Sequence, residues 1–215
     1  MPGLKRRQMG LTIALVWHIF PALLTTGILA ALPGKREDGP MQKLNVGCGK
    51  DIREGWVNLD LEPLPGVDFV HDINHLPLPF SDEEFDLISC KDVLEHVDYI
   101  PAIRDLHRIL KPGGRLIVRV PHFTSKDAYS DPTHRRFFTV QTFFYFMRPH
   151  FRSYYFDFHF SRFETLLIRF DKRSAYFYNY ILEPLVNLTE ATQNFYEGSP
   201  LRVFPATNID ITLVK

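Results

Sequence analysis

LNVGCGKD, at residues 44–51, is the stretch of sequence that decides the fold. A short apolar run of strand type leads directly into two glycines, Gly47 and Gly49. Glycine has no Cβ, so the chain can turn tightly there and a ligand can approach the backbone. A buried strand that ends in such a loop is typical of α/β proteins, in which ligands bind at the carboxyl ends of parallel strands.

Short apolar runs alternate with polar or turn-forming segments after this first strand, a pattern that predicts βα units and a parallel sheet. The early strands are predicted at 43–46, 56–60, 67–71, 85–90 and 115–120. Apolar residues at helical spacing predict a helix over 98–110, which KPGG at 111–114 is expected to end. Thr139 is expected to cap a short helix, and two late strands at 162–170 and 208–215 flank a helical stretch at 178–188.

Composition and charge exclude several classes of protein. The chain has 215 residues, of which 45% are hydrophobic and 23% charged, so it is long enough for one globular domain and too apolar for a disordered chain. The 25 Lys and Arg residues balance the 25 Asp and Glu residues, so we do not expect a nucleic acid as partner. Cys48 and Cys90 are too few for a disulfide framework, and we expect them to be reduced and packed in the core.

Residues 10–32 form a run without formal charge, preceded by the basic residues of segment 5–7. Three interpretations stay open: a membrane anchor, a signal peptide, or a start of translation at Met41. We therefore divide the chain into an apolar leader at 1–40 and a functional domain at 41–215. A cytoplasmic location is expected, with membrane association through 10–32 as the alternative, and the oligomeric state is not predicted.

Carboxylates follow the second and third predicted strands. Asp60 ends VNLD, where a carboxylate can accept two hydrogen bonds from a ribose diol, and Asp72 occupies the matching position in VHDI. A nicotinamide dinucleotide site would need a third glycine where Ile52 stands and an acid about 20 residues further on. An NAD-dependent oxidoreductase is therefore the disfavoured alternative.

The order of motifs, from LNVGCGKD through VNLD and VHDI to FDLISCKDVLEHV and LKPGGRLIVRVP, resembles that of the class I S-adenosylmethionine-dependent methyltransferases. The chain is most similar to their methyltransferase type 11 group over residues 43–121. The resemblance implies an α/β fold with a Rossmann-like, seven-stranded, mostly parallel sheet and helices on both faces. It also implies S-adenosyl-L-methionine as the cofactor.

The resemblance assigns roles to the residues at the strand ends. In this group the glycine loop holds the methionine end of the cofactor, the acid after the second strand binds the ribose, and the acid after the third strand reads adenine. By position these roles fall on the cofactor-binding residues Gly47, Cys48, Gly49, Asp60, Asp72 and Ile73.

The chain departs from the group's pattern around the glycine loop. Asn45 stands where an acid is frequent, and Asp51 stands where a third glycine is common. Only eight residues separate Gly49 from Asn58, and a crossover with a helix needs at least ~10–12. We therefore expect a turn or two between the first strands and a more open methionine end.

The loop after the fifth strand, PHFTSKDAYSDPTHRRFFT at 121–139, is the candidate acceptor site. Methyl transfer is an in-line displacement that needs alignment and, for an acceptor of high pKa, a base. We predict His122, Asp131 and His134 as catalytic residues, with Asp131 orienting the imidazole of His134, and Arg135 and Arg136 as substrate-binding residues. A capped Asp-Pro turn and solvated arginines are the alternatives, and no metal is predicted because the ligand spacing matches no motif.

These patterns predict an S-adenosylmethionine-dependent methyltransferase. The predicted reaction is O-methylation of a small-molecule, lipid-linked or glycan-type acceptor. A non-catalytic S-adenosylmethionine-binding partner subunit is the second alternative, beside the oxidoreductase.

Overall fold

The computed structural model of the chain describes residues 40–150 and 153–215. Residues 1–39 of the predicted leader, and with them the segment at 10–32, lie outside the described residues. Within the described ranges no helix combines the length and the apolar character that a membrane crossing needs.

The core of the protein is a seven-stranded sheet. Its strands are β1 (Lys43–Val46), β2 (Val57–Asp60), β3 (Phe69–Val70), β4 (Phe85–Lys91), β5 (Leu110–Pro121), β6 (Arg162–Phe170) and β7 (Ala206–Val214). They lie in the order β3-β2-β1-β4-β5-β7-β6, and only β7 runs antiparallel to its neighbours. This arrangement confirms the predicted Rossmann-like fold with a mostly parallel sheet.

Five α-helices are described: α1 (Tyr99–Ile109), α2 (Asp127–Ser130), α3 (Val140–Phe144), α4 (Asn179–Val186) and α5 (Glu190–Gly198). Three short 3-10 helices lie at Ser153–Tyr155, Ser174–Tyr176 and Pro200–Val203. Thr139 is the N-cap of α3, as predicted, and its backbone N–H donates to Thr142 Oγ1 at 3.2 Å. The sequence did not predict α2 or α5.

The crossover from β1 to β2, all of whose residues are described, contains no helix, which confirms the predicted turn. Two buried asparagines hold this short loop against the sheet. Asn58 Oδ1 accepts from the Arg53 N–H at 3.0 Å, while Asn58 Nδ2 donates to the Arg53 carbonyl at 3.1 Å. Asn45 Nδ2 donates to the Asp51 carbonyl at 2.7 Å. Because buried polar groups are almost always paired, these side chains supply the bonds that a crossover helix would make for itself.

Several predicted elements differ from the structure at their ends, and two of the differences change the local structure. β3 has only two residues where five were predicted, because it is the edge strand and leaves Phe69 and Val70 exposed. The predicted helix ends at Ile109, and KPGG is part of β5, where the register with β4 shifts between Phe85 and Leu87. KPGG therefore begins a strand instead of forming a separate turn.

The apolar core forms between the sheet and the segments that follow β4. Phe85, Ile88, Leu116 and Val118 of the central strands are fully buried. The aromatic residues of the last third add a second layer, in which Phe138, Phe143, Phe146 and Phe160 are almost completely buried. The carboxyl ends of β1, β2 and β4 stay free for a ligand.

Candidate active site

A cleft of about 380 Å³ opens at the carboxyl ends of β1, β2 and β4. Its volume lies in the range of ~300–1,000 Å³ that small-molecule sites occupy. The apolar part of the wall comprises Val46, Leu59, Leu61, Ile73, Val93 and Val97. The remaining lining residues are Gly47, Asp60, His71, Asp72, Asn74, Asp92, His96 and Arg135. Apolar walls with carboxylates at the edge suit a flat heterocycle joined to a sugar.

The two predicted glycines have different tasks in the loop. Gly47 has a φ of +63°, and a Cβ at this position would overlap the Cγ2 atom of Val93. Gly49 has a φ of +49°, but a Cβ there would meet no atom within 4 Å. The lack of a Cβ at Gly47 therefore lets the loop pack against Val93. The space next to Gly49 is open. Cys48, between them, is 4% exposed and does not line the cleft.

Asp60 is the best-positioned carboxylate of the cleft. Its Oδ2 atom accepts from the Gly49 N–H at 2.6 Å, and its Oδ1 atom accepts from the Glu62 N–H at 3.0 Å. Each carboxylate oxygen has about two lone-pair sites, so both can still accept a hydroxyl. Asp60 thus couples the glycine loop to the position predicted for the ribose.

Asp72 and Ile73 line the same cleft after β3. Asp72 Oδ1 accepts from the backbone N–H of Asn74 at 2.9 Å and from its side-chain amide at 3.0 Å. These bonds, the backbone bond first, hold the pKa of Asp72 below its usual value. The carboxylate is therefore ionised at neutral pH and can accept from an exocyclic amine.

Asp92 also lines the cleft and was not predicted from the sequence. It has a φ of 56°, an uncommon conformation for a residue other than glycine. Its carboxylate makes a bidentate ion pair with Arg119, and its backbone N–H donates to the Arg119 carbonyl at 2.9 Å. Asp92 directly follows β4, and Asp60 is the last residue of β2. An acid at the carboxyl end of a strand was therefore the sequence signal that could have identified Asp92 as a lining residue.

His122, predicted as catalytic, is fully buried and is not a lining residue of the cleft. Its Nε2 atom lies 3.0 Å from Glu197 Oε1, and its Nδ1 atom lies 2.7 Å from Thr124 Oγ1. Both ring nitrogens therefore have partners, and the Glu197 contact ties the end of β5 to α5. A catalytic role for His122 stays a prediction.

Asp131 and His134, the other predicted catalytic residues, lie near each other. His134 Nε2 is 4.0 Å from Asp131 Oδ2 and 4.0 Å from Glu95 Oε1, distances too long for hydrogen bonds. Glu95 is 1% exposed, and burial raises its pKa to about 7. The His134 ring also meets the ring of His96 edge to face, with centroids 4.6 Å apart. Burial lowers the pKa of His96.

The two predicted substrate-binding arginines lie in different surroundings. Arg135 lines the cleft, and its backbone N–H donates to the Glu95 carbonyl at 2.8 Å. Arg136 Nη2 lies 3.7 Å from Asp98 Oδ1, and Arg136 does not line the cleft. Of the two predicted arginines, only Arg135 therefore lines the same cleft as the predicted carboxylates Asp60 and Asp72.

A second cavity of about 360 Å³ has mainly aromatic walls. Its lining residues are Tyr99, Ile100, Thr142, Tyr145, Phe146, Tyr155 and Phe156. Sequence analysis did not predict this cavity, because its lining comes from three separate segments of the chain.

Comparison with known proteins agrees with the geometry of the cleft. Residues 48–118 match the family model described as "Methyltransferase domain". A protein of Methanocaldococcus jannaschii, MJ0638, is 55% identical over 88 residues, which are 36% of this chain and 39% of that protein. A ubiquinone/menaquinone biosynthesis C-methyltransferase of Pseudoalteromonas translucida is 38% identical over 106 residues, 47% of this chain and 41% of that enzyme. The chain thus spans less than half the length of these relatives.

Among solved structures, a SAM-dependent methyltransferase from Archaeoglobus fulgidus has a TM-score of 0.53 at 16% identity. The alignment covers 82% of this chain and 87% of the other, and it supports the fold. The family match agrees with the predicted resemblance to the type 11 group over residues 48–118, and the solved structure agrees with the predicted fold. The family match ends at residue 118, before the loop at 121–139, and so leaves the acceptor residues untested.

Proposed function

We propose that this protein is an S-adenosyl-L-methionine-dependent methyltransferase that acts on a small-molecule acceptor. The observation that carries the proposal is the convergence of Gly47, Asp60, Asp72 and Ile73 on one cleft at the carboxyl ends of the strands. When bound, the cofactor supplies an activated methyl group on a sulfonium.

The residues of the cleft fit this cofactor in charge and shape. Asp60 offers two carboxylate oxygens to the ribose hydroxyls, and Asp72 offers an acceptor to the adenine amine. Ile73 and Leu59 supply apolar walls for the ring. The absence of a Cβ at Gly47 lets the loop lie close to Val93. The open space beside Gly49 can take the methionine end of the cofactor.

Oxygen is the methylated atom that we propose. Arg135 is one of the lining residues, and its guanidinium is suited to bind an acceptor that bears an acidic hydroxyl or a carboxyl group. The imidazole of His96 lines the same cleft, and Glu95 and His134 lie next to it. These groups can hold the acceptor oxygen in its nucleophilic form. The proposed acceptors include lipid-linked and glycan-type molecules that are methylated on oxygen.

Methylation of a ring carbon is the second candidate. Two of the similar enzymes are named demethylmenaquinone methyltransferase and ubiquinone/menaquinone biosynthesis C-methyltransferase. The cavity lined by Tyr99, Tyr145 and Phe146 suits an apolar ring. A phenol whose ring carbon is methylated also needs its oxygen deprotonated, so both candidates use the same polar groups.

We also propose a cytoplasmic location for the described part of the chain. Cys48 and Cys90 are both free and buried, as predicted for a reducing compartment.

The experiment is an acceptor screen with the full chain and S-adenosyl-L-methionine. Phenols, hydroquinones, sugar hydroxyls and carboxylates are offered, and release of S-adenosylhomocysteine is measured together with methylated product by mass spectrometry. Nuclear magnetic resonance of the product then separates a methoxy from a C-methyl group. Tight binding of NAD⁺ without binding of S-adenosyl-L-methionine would favour the oxidoreductase instead. Cofactor binding without product from any acceptor class would favour the non-catalytic partner subunit.

A further inference from the structure

Glu95, His96 and His134 bring three acceptor atoms to one point beside the cleft. One carboxylate oxygen and one ring nitrogen from each histidine lie within 4.8 Å of one another. Among the described residues no hydrogen bond joins these three side chains. Direct hydrogen bonds therefore do not account for the close approach of the three side chains.

The hydrogen bond at His134 Nδ1 fixes which nitrogen carries the lone pair. Nδ1 lies 3.2 Å from the Ala128 carbonyl oxygen, which can only accept, so Nδ1 carries the proton. In the neutral ring the lone pair is then on Nε2, the atom that lies 4.0 Å from Glu95 Oε1.

A relay of two hydrogen bonds orients His96 in the same way. The Thr133 hydroxyl donates to Asp131 Oδ1 at 2.6 Å, so its oxygen is free to accept from His96 Nδ1 at 2.8 Å. The lone pair of the neutral His96 ring is therefore on Nε2. Asp131 thus positions His96 through Thr133, a role that differs from the predicted orientation of His134.

Glu95 supplies the strongest sign that something is bound here. Its side chain is 1% exposed, and its Oε2 atom has no hydrogen-bond partner. A buried carboxyl oxygen without a partner is unfavourable, so native proteins pair such groups or use them to coordinate metals.

We propose that Glu95, His96 and His134 bind a divalent transition-metal ion such as Zn²⁺, Fe²⁺ or Mn²⁺. Two imidazoles and one carboxylate are a set that such ions accept with positions left open for other ligands. Histidines that ligate metals donate their other N–H to a carbonyl or a similar acceptor, as both histidines do here. With metal–ligand bonds of ~2.0–2.1 Å, a tetrahedral ion would draw the 4.0 Å pair together by about 0.7 Å.

The site adjoins the cofactor residues because His96 lines the cleft. An ion with open positions would bind an oxygen of the acceptor there. This last role rests on the proposed function, but binding of the metal does not.

The test is titration of the chelator-treated full chain with Co²⁺, followed by absorption of the bound ion, with metal content measured after dialysis. We expect one ion per chain, displaced by Zn²⁺. Glu95→Gln and His134→Ala should each weaken Co²⁺ affinity at least about 100-fold. Thr133→Val, which removes only the relay to His96, should weaken it about 10- to 100-fold, the range for groups that orient metal ligands. His75→Ala is the matched control, because it removes an exposed imidazole outside the cluster and should leave affinity unchanged.

Thermal unfolding and circular dichroism are measured on the same variants as a check of folding, because His96 lines the cofactor cleft. Should His134→Ala fail to fold, Thr133→Val and His96→Ala decide the question, because both side chains are partly exposed or exposed at the surface. Absence of Co²⁺ binding to the natural chain would overturn the proposal, and so would binding that all three cluster variants retain. Either result leaves the methyltransferase proposal standing, since that depends on binding of S-adenosyl-L-methionine.

Discussion

Replacing Asp60 with alanine should weaken cofactor binding without unfolding the protein. The substitution removes the two oxygens that accept from Gly49 and Glu62 and that face the cleft. A hydrogen bond to a charged group contributes about 1.5–3 kcal/mol, and a difference of 1.4 kcal/mol is tenfold in affinity. We therefore expect S-adenosyl-L-methionine to bind roughly 10- to 150-fold more weakly to Asp60→Ala.

The assay is isothermal titration of S-adenosyl-L-methionine, with thermal unfolding of each variant as the check of folding. Asp60→Asn retains one acceptor oxygen and should lose less affinity than Asp60→Ala. Asp51→Ala is the matched control: its carboxylate is on the same loop, pairs with Arg53 and is 67% exposed outside the cleft. Unchanged affinity in Asp60→Ala would refute the ribose assignment. An equal loss in Asp51→Ala would show that the general charge of the loop, and not contact with the ribose, attracts the cofactor.

Three further substitutions test the loop and the core. Gly47→Ala should lower the free energy of unfolding by about 1–3 kcal/mol, measured by urea titration, because the new Cβ overlaps Val93 and φ is positive. Asn58→Leu should cost about 2–3 kcal/mol in the same assay, since it leaves the Arg53 backbone unpaired; a loss below 0.5 kcal/mol, roughly that of a surface change, would contradict this. Burial lowers the pKa of His107, so the unfolded chain binds more protons and stability should fall as pH drops below about 6.5. His107→Gln should flatten that slope between about pH 7 and pH 5, and a slope identical to that of the natural chain would show that other groups cause it.

Much of the lining of the cleft could be predicted because its residues occupy fixed places relative to strands. Gly47, Asp60 and Asp72 each follow a short apolar run, and the carboxyl ends of neighbouring parallel strands meet at one edge. The helix-free crossover was also predictable, because eight residues cannot hold a helix and both turns. Asp92 satisfied the same positional rule and could have been found with it.

The surroundings of the predicted catalytic residues could not be predicted, because their contacts join residues far apart in the chain. The hydrogen bond between His122 and Glu197 spans 75 positions, and α5, which carries Glu197, was not predicted. The His96–Thr133 contact spans 37 positions and depends on how the loop at 121–139 folds back over the residues after β4. Short-range patterns in the sequence cannot encode such pairings.

The most direct measurement is a crystal structure of the full chain with S-adenosylhomocysteine. We expect the ribose hydroxyls within hydrogen-bond distance, roughly 2.5–3.2 Å, of the Asp60 carboxylate. The adenine should lie against Ile73 with its amine toward Asp72, and the sulfur should face Arg135 and His96. A nucleoside bound outside the cleft, or one whose ribose makes no contact with Asp60, would contradict the account.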